Sequence, residues 1–282
     1  MIRSMRWLTI LVAVMAVMII WTTMGAAAQQ PELLPVVEEE PEPPAMLPAV
    51  TDGLVAWYPL NDGEGRVARD RSGEDVAPNL LVTPETAWEE DGPGLTFDND
   101  QARAYSEEPP RQLIERLAES KAFSFEVWLA PDGLEQGGPA RIVTISDGTS
   151  RRNITIGHGE HRQPGPDLYL RLRTTRTDAN GMPNIVAPDT IIEQPAQYVV
   201  TYTENLLVTV YRDGKLVYRG AREGSLNWDT GYQLAFGAEP DGERNWRGRL
   251  YRVGIYDREL TAEEVERNYK HWTTDEEPEE EE

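Results

Sequence analysis

Residues 123–129, Phe-Ser-Phe-Glu-Val-Trp-Leu, alternate apolar and polar side chains with a period of two. That period belongs to a pleated strand rather than a helix. It puts Phe123, Phe125, Val127 and Leu129 on one buried face and Glu126 and Trp128 on the other. Similar short runs recur between turns. Leu54-Val55-Ala56-Trp57-Tyr58 is stopped by Pro59 and Asn61-Asp62-Gly63, and residues 141–146, 153–157 and 168–174 read as further strands. Residues 206–218 are predicted as a hairpin, because Asp213-Gly214 between β-rich runs favours a tight turn with positive φ. With no internal repeat, this spacing predicts one all-β domain, a two-sheet β-sandwich or jelly roll, over residues 51–272. Two short helices are expected at 110–119 and 261–270. The second opens on Thr261 with Glu264 at capping-box spacing.

The flanks read differently. Arg3 and Arg6 precede a run from Trp7 to Trp21 whose one polar member is Thr9, and Ala26-Ala27-Ala28 supplies small residues before Gln29. Residues 1–28 are therefore expected to be an export signal. The run falls short of the ~20 apolar residues of a spanning helix, so membrane contact is expected only if the segment stays uncleaved as an anchor. Residues 29–50 hold five acids, no base and scattered prolines, and read as an extended acidic spacer. Residues 273–282 hold seven acids and no base, and read as a disordered tail. The destination is thus periplasm, cell surface or medium.

Composition removes several functions. The chain has no cysteine, which excludes disulfides, thiolate catalysis, cysteine zinc sites and lipid attachment on cysteine. Its net charge of −22 argues against nucleic acid as a partner. The two acidic ends, with Arg3 and Arg6, account for −10 of that, which leaves −12 across residues 51–272.

Several stretches together resemble the LamG-like jelly-roll family of the concanavalin A-like lectin/glucanase fold. They are Gly53 to Leu60, Gly63-Glu64-Gly65, Arg69 to Gly73, Leu95-Thr96-Phe97-Asp98, Phe123 to Trp128 and Val210 to Gly214. The closing Trp246 to Leu250 and Val253 to Val265 carry the most specific part of the likeness, which spans residues 52–270. It implies a sandwich that binds carbohydrate. Two places depart from it. Gln197-Tyr198 stands where many relatives have Trp and His, and Tyr251 stands where many have an acid, which removes one carboxylate from any calcium role.

Glucanases of this fold resemble one another in a strand that places several carboxylates on one face, because retaining hydrolysis needs two of them about 5–5.5 Å apart. Here the comparable strand has Glu126 alone. His158-Gly159-Glu160-His161, flanked by glycines, reads as a solvated turn rather than a metal loop. A structural calcium is the one cofactor considered, with Asp62, Asp70, Asp98, Asn99 and Asp100 as turn oxygen donors; ordinary Asx-turn bonding is the competing reading. Trp88, Trp228 and Trp246 lie in polar, turn-rich contexts and are candidate sugar platforms, with packing as the alternative. Residues 139–188 carry a net +3 within an acidic chain. Arg151, Arg152, Arg171 and Arg173 are the candidates for an anionic ligand, against pairing with the acidic ends or plain solvation. These features describe an exported, non-catalytic module that binds an extracellular or envelope glycan. The alternative is a structural or protein-interaction domain of an envelope assembly, and a glycoside hydrolase stands behind both.

Overall fold

The computed structural model describes residues 46–274 except 91, 137, 161–162 and 204–205. The expected export signal, most of the spacer and the tail beyond 274 lie outside the described residues. Among the described residues, sixteen strands form two antiparallel sheets. One sheet runs β14 (Lys215–Ala221), β13 (Leu207–Arg212), β12 (Ala196–Tyr202), β7 (Phe123–Pro131), β16 (Gly248–Tyr256), β5 (Leu95–Phe97), β4 (Ala87–Trp88), with β1 (Leu54–Tyr58) also paired to β16. The other runs β11 (Ile185–Ala187), β10 (Gln163–Leu172), β9 (Arg152–Glu160), β8 (Ala140–Ser146), β15 (Gln233–Phe236), β6 (Ala104–Tyr105), β3 (Leu80–Val82), β2 (Val67–Ala68). Between the sheets, Phe123, Phe125, Val127 and Leu129 of β7 join Ile154, Ile156, Leu168, Leu170 and Leu234 in one apolar core. The period-two reading of residues 123–129 thus places the core face correctly.

Local signals set the connections. Asp213 and Gly214 both take positive φ, +52° and +74°, as the hairpin turn requires. Helix α1 (Arg111–Ser120) buries Leu113, Ile114 and Leu117. Helix α2 (Ala262–Thr273) begins with the full capping box, Thr261 Oγ1 accepting from the Glu264 amide and the Glu264 carboxylate from the Thr261 amide.

Three features differ from the sequence expectation. The second face of β7 is not solvated, because α2 lies over it and buries both Glu126 and Trp128. Residues 46–50, placed in the spacer by composition, belong to the folded body: Val50 is buried, and its amide donates to Asn268 of α2 at 2.9 Å. Strand β10 starts at Gln163, ahead of the expected Leu168. A register shift between those residues absorbs Pro164 and Pro166.

An aromatic ladder fixes α2 to its sheet. The Arg252 guanidinium lies 3.8 Å from the Trp272 ring centroid and 5.4 Å from that of Trp128. Trp128 stacks on Tyr269 at 5.9 Å, and Trp57 on Trp272 at 6.1 Å. A cation shielded between indole faces is held more firmly than one in water.

Candidate functional site

On β10 the inward Leu168, Leu170 and Leu172 alternate with Tyr169 and Arg171, which point away from the core. Arg141 of β8 and Arg152 of β9 converge on the same outer face. Arg141 Nη1 donates to Tyr169 Oη at 2.6 Å, while Arg152 and Arg171 both donate to Asn180 Oδ1 at 2.8 Å. The turn after β15 brings in Glu239, which accepts from Arg141 Nε at 2.5 Å and from Arg152 Nη1 at 2.8 Å. Ser146 Oγ also donates to Glu239. Tyr169 can lie flat over this face because position 157 is glycine: a Cβ there would sit 2.0 Å from the tyrosine ring.

Two guanidiniums, Arg141 and Arg152, therefore share one carboxylate, and Arg171 stands beside them on the side-chain amides of Asn180 and Asn184. Arg141 and Arg152 are at most 1% exposed, and Arg171 is 8% exposed. Burial pushes Arg171 down to about 10, with its neighbours Arg141 and Arg152 pushing the same way. Burial, and then Arg141, also lowers Arg152. All three remain cationic at neutral pH. Arg141 and Arg171 border a recess of about 230 Å³ lined also by Pro139, Thr149, Asn180 and Arg244. A recess with donors on its walls can take hydrogen bonds to ligand oxygens.

The second polar centre is closed. Glu126 is fully buried beneath α2 and accepts from Trp128 Nε1 (3.0 Å), Gln197 Nε2 (2.8 Å) and Asn268 Nδ2 (2.7 Å). Gln197, one of the two departures from the family pattern, serves this centre and also accepts from the Gly214 amide of the hairpin turn.

The other candidates distribute as follows. Arg151 is exposed and pairs with Asp147, and Arg173 donates to Tyr232 Oη at 3.2 Å, so neither borders the recess. Arg152 and Arg171 belong to the cluster, buried rather than solvated. Trp246 is no platform: it is fully buried with its ring 6.2 Å from that of Phe97, because its turn folds back onto the sheet end. Trp228 is half-buried against Phe123 at 5.4 Å. Trp88, also half-buried, donates Nε1–H to the Gly65 carbonyl at 2.9 Å. The five calcium candidates do not converge. Asp62 accepts from Arg69 and Arg71, Asp70 from the Trp57 and Ser72 amides, Asp98 from Asn99, and Asp100 pairs with Arg247. Among the described residues no group of three or more His, Cys, Asp or Glu could hold a metal ion. These five side chains thus do not by themselves gather the roughly six to eight oxygens that calcium takes. The sequence reading missed Glu239, Asn180 and Arg244. Tyr169 and Arg171 at strand spacing were the one available signal.

His158 departs from the solvated turn expected of it. It is fully buried in β9, on the face of Ile154 and Ile156; His161 lies outside the described residues. Burial pushes its imidazole down to about 4, whereas an unfolded chain protonates near 6.5. Between those values the unfolded state binds more protons, so stability should fall as pH drops through that window, by up to about 3 kcal/mol. His158→Leu should flatten the slope, read from urea midpoints across the same range. An unchanged slope would place the acid sensitivity elsewhere.

A family model described as the concanavalin A-like lectin/glucanases superfamily matches residues 100–266. Comparison with curated proteins finds no match. Among solved structures, the chain is similar to a Trypanosoma rangeli sialidase in complex with sialic acid. Identity is 15% and the TM-score 0.56, over 77% of this chain and 32% of that one. It is also similar to the binding domain of Botulinum neurotoxin DC in complex with rat synaptotagmin II (12%, TM-score 0.59, 79% and 52%). The binding domain of Paraclostridial Mosquitocidal Protein 1 gives 16% identity and TM-score 0.55, over 78% and 52%. The chain thus spans about a third of the sialidase and half of each binding domain, and likeness at these identities is likeness of fold.

Proposed function

We propose, from the premise that this chain belongs to the concanavalin A-like lectin/glucanase superfamily, that it is an exported, non-catalytic domain that binds an extracellular or envelope carbohydrate. One observation carries the reading. The central strand's lone carboxylate, Glu126, is sealed under α2 and occupied by neutral donors, while the outer face of the opposite sheet offers arginine, threonine and amide groups around a recess. Glycoside hydrolysis needs two carboxylates flanking a bond; sugar recognition needs a recess with placed polar groups. The basic start and apolar run of residues 3–21 support export. A sugar acid occupies one of the similar structures, which suits a glycan ligand.

The second reading is a protein-interaction domain. It is favoured by the edge strand β14, where Leu216 and Val217 are 50% and 40% exposed, and a protein occupies another of the similar structures. Glycan-array screening of the full chain, with and without calcium, separates the two. Selective glycan binding supports the carbohydrate reading. An empty array alongside stable capture of a protein from the same envelope would replace it. Release of new reducing ends from a bound polymer would restore a hydrolase.

A further inference from the structure

The recess on the β8–β10 face has donors without acceptors. Arg141 uses Nε and Nη1 on Glu239, the Pro139 carbonyl and Tyr169, and Arg171 uses Nε and Nη1 on Asn184 and Asn180. The Nη2 atom of each has no hydrogen-bond partner among the described residues, and both side chains line the recess. Arg152, by contrast, is fully engaged. Its Nη2 donates to the Gly148 and Thr149 carbonyls, and its other nitrogens to Asn180, Thr155 and Glu239. A third guanidinium, the exposed Arg244, stands at the rim. It is held there by the turn that also supplies Glu239, through the Glu239 amide to the Glu243 carbonyl and the Arg141 amide to the Arg244 carbonyl, both 2.9 Å. The nearby carboxylates are already engaged. Glu239 binds Arg141 and Arg152, Asp178 accepts from the Asn180 and Met182 amides, and Asp241 from the Glu243 amide. A buried cluster with two cations in excess, open on one side, is short of negative charge at that opening.

We propose that this recess is an anion subsite that takes one carboxylate or sulfate group of an acidic sugar, with Arg141 Nη2, Arg171 Nη2 and Arg244 as donors. The planar forks of arginine suit a two-oxygen acceptor better than an ammonium does. An anion in the recess would offset the excess charge, and with it the effect of burial on Arg171. Asn180 fixes the geometry by accepting from Arg152 and Arg171 at once, so the free edge of Arg171 is presented rather than folded away. The acidic sugar rests on the carbohydrate reading; the anion site rests on the recess alone.

The test is calorimetric titration of the full chain with sodium glucuronate, sodium sulfate, sodium acetate and glucose. Glucuronate and sulfate should each fill a single saturable site, with glucuronate tighter than acetate, and glucose should give none at the same concentrations. Arg171→Gln and Arg244→Glu should each weaken glucuronate about tenfold or more, the loss of one charge-assisted contact. Because Arg244 is exposed, its variant should stay folded even if the Arg171 variant does not. Absence of saturable anion binding, or unchanged affinity in folded Arg244→Glu, overturns the site while leaving array-detected glycan binding intact. Sulfate bound at the recess alongside an empty array overturns the carbohydrate reading and keeps the site. Glucuronate no tighter than acetate removes the sugar from the proposal.

Discussion

Glu239→Gln should destabilise the protein by about 3–5 kcal/mol, the cost of breaking a buried ion pair from one side. The glutamine keeps an oxygen near Arg141 and Arg152 but removes the carboxylate that both contact at 2.5 and 2.8 Å. Three cations would then face one another across a polar but buried sheet surface. For a domain whose whole stability is of the order of 5–15 kcal/mol, that is a large share. Urea unfolding of the variant measures it. Adding Arg152→Met should recover part of the loss, since one uncompensated charge goes with it. Sulfate should stabilise Glu239→Gln more than the parent protein. A midpoint indistinguishable from the parent's would mean that the arginines are compensated by something other than Glu239, and the charge argument for the recess would go with it.

Trp57→Ala should cost about 3–5 kcal/mol as well, and here the pattern of the loss matters more than its size. Trp57 is fully buried. Its amide donates to Asp70 Oδ1 at 2.7 Å, its Nε1–H to the Met46 carbonyl at 2.9 Å, and its ring stacks on Trp272. Removing it releases residues 46–50 and α2 together. Hydrogen exchange should therefore accelerate first in those two segments and later in β7 or β10, with Trp57→Phe intermediate. Uniform acceleration across both sheets would show that the indole acts as ordinary core filling and not as a clamp.

Much of the fold was legible because its signals are local. The alternation of residues 123–129, the Asp213-Gly214 turn and the Thr261–Glu264 capping box each lie within a few residues, and each forms as read. Burial decided by distant partners was not legible. Trp246 sits among arginines and glycine in the sequence, which leaves platform and packing both open, and it closes on Phe97. In the sequence Arg152 is open to an anionic ligand, to pairing with the acidic ends or to solvation, and none of these places it with Arg141 in a buried network. Their burial depends on Glu239, 98 and 87 residues away, in a turn that looks like any other surface turn. The acids read as calcium ligands lie between strands, and each has a nearer use on an arginine, an amide or a neighbouring side chain. Of the arginine candidates, Arg152 and Arg171 reached the cluster. They are part of a built interior, which no composition count distinguishes from solvation.

The Val50–Asn268 hydrogen bond and the Trp57 bridge from Met46 to Trp272 bring the first and last residues of the folded body side by side on the outer face of one sheet. The arginine recess opens on the outer face of the other sheet. Any stalk leaving from either end therefore shares one pole, and the opposite pole stays presented whichever end is anchored. Neighbouring ends also make the body a portable cassette: it can be spliced into a host surface loop, or its ends joined and reopened at another turn, without parting the two sheets.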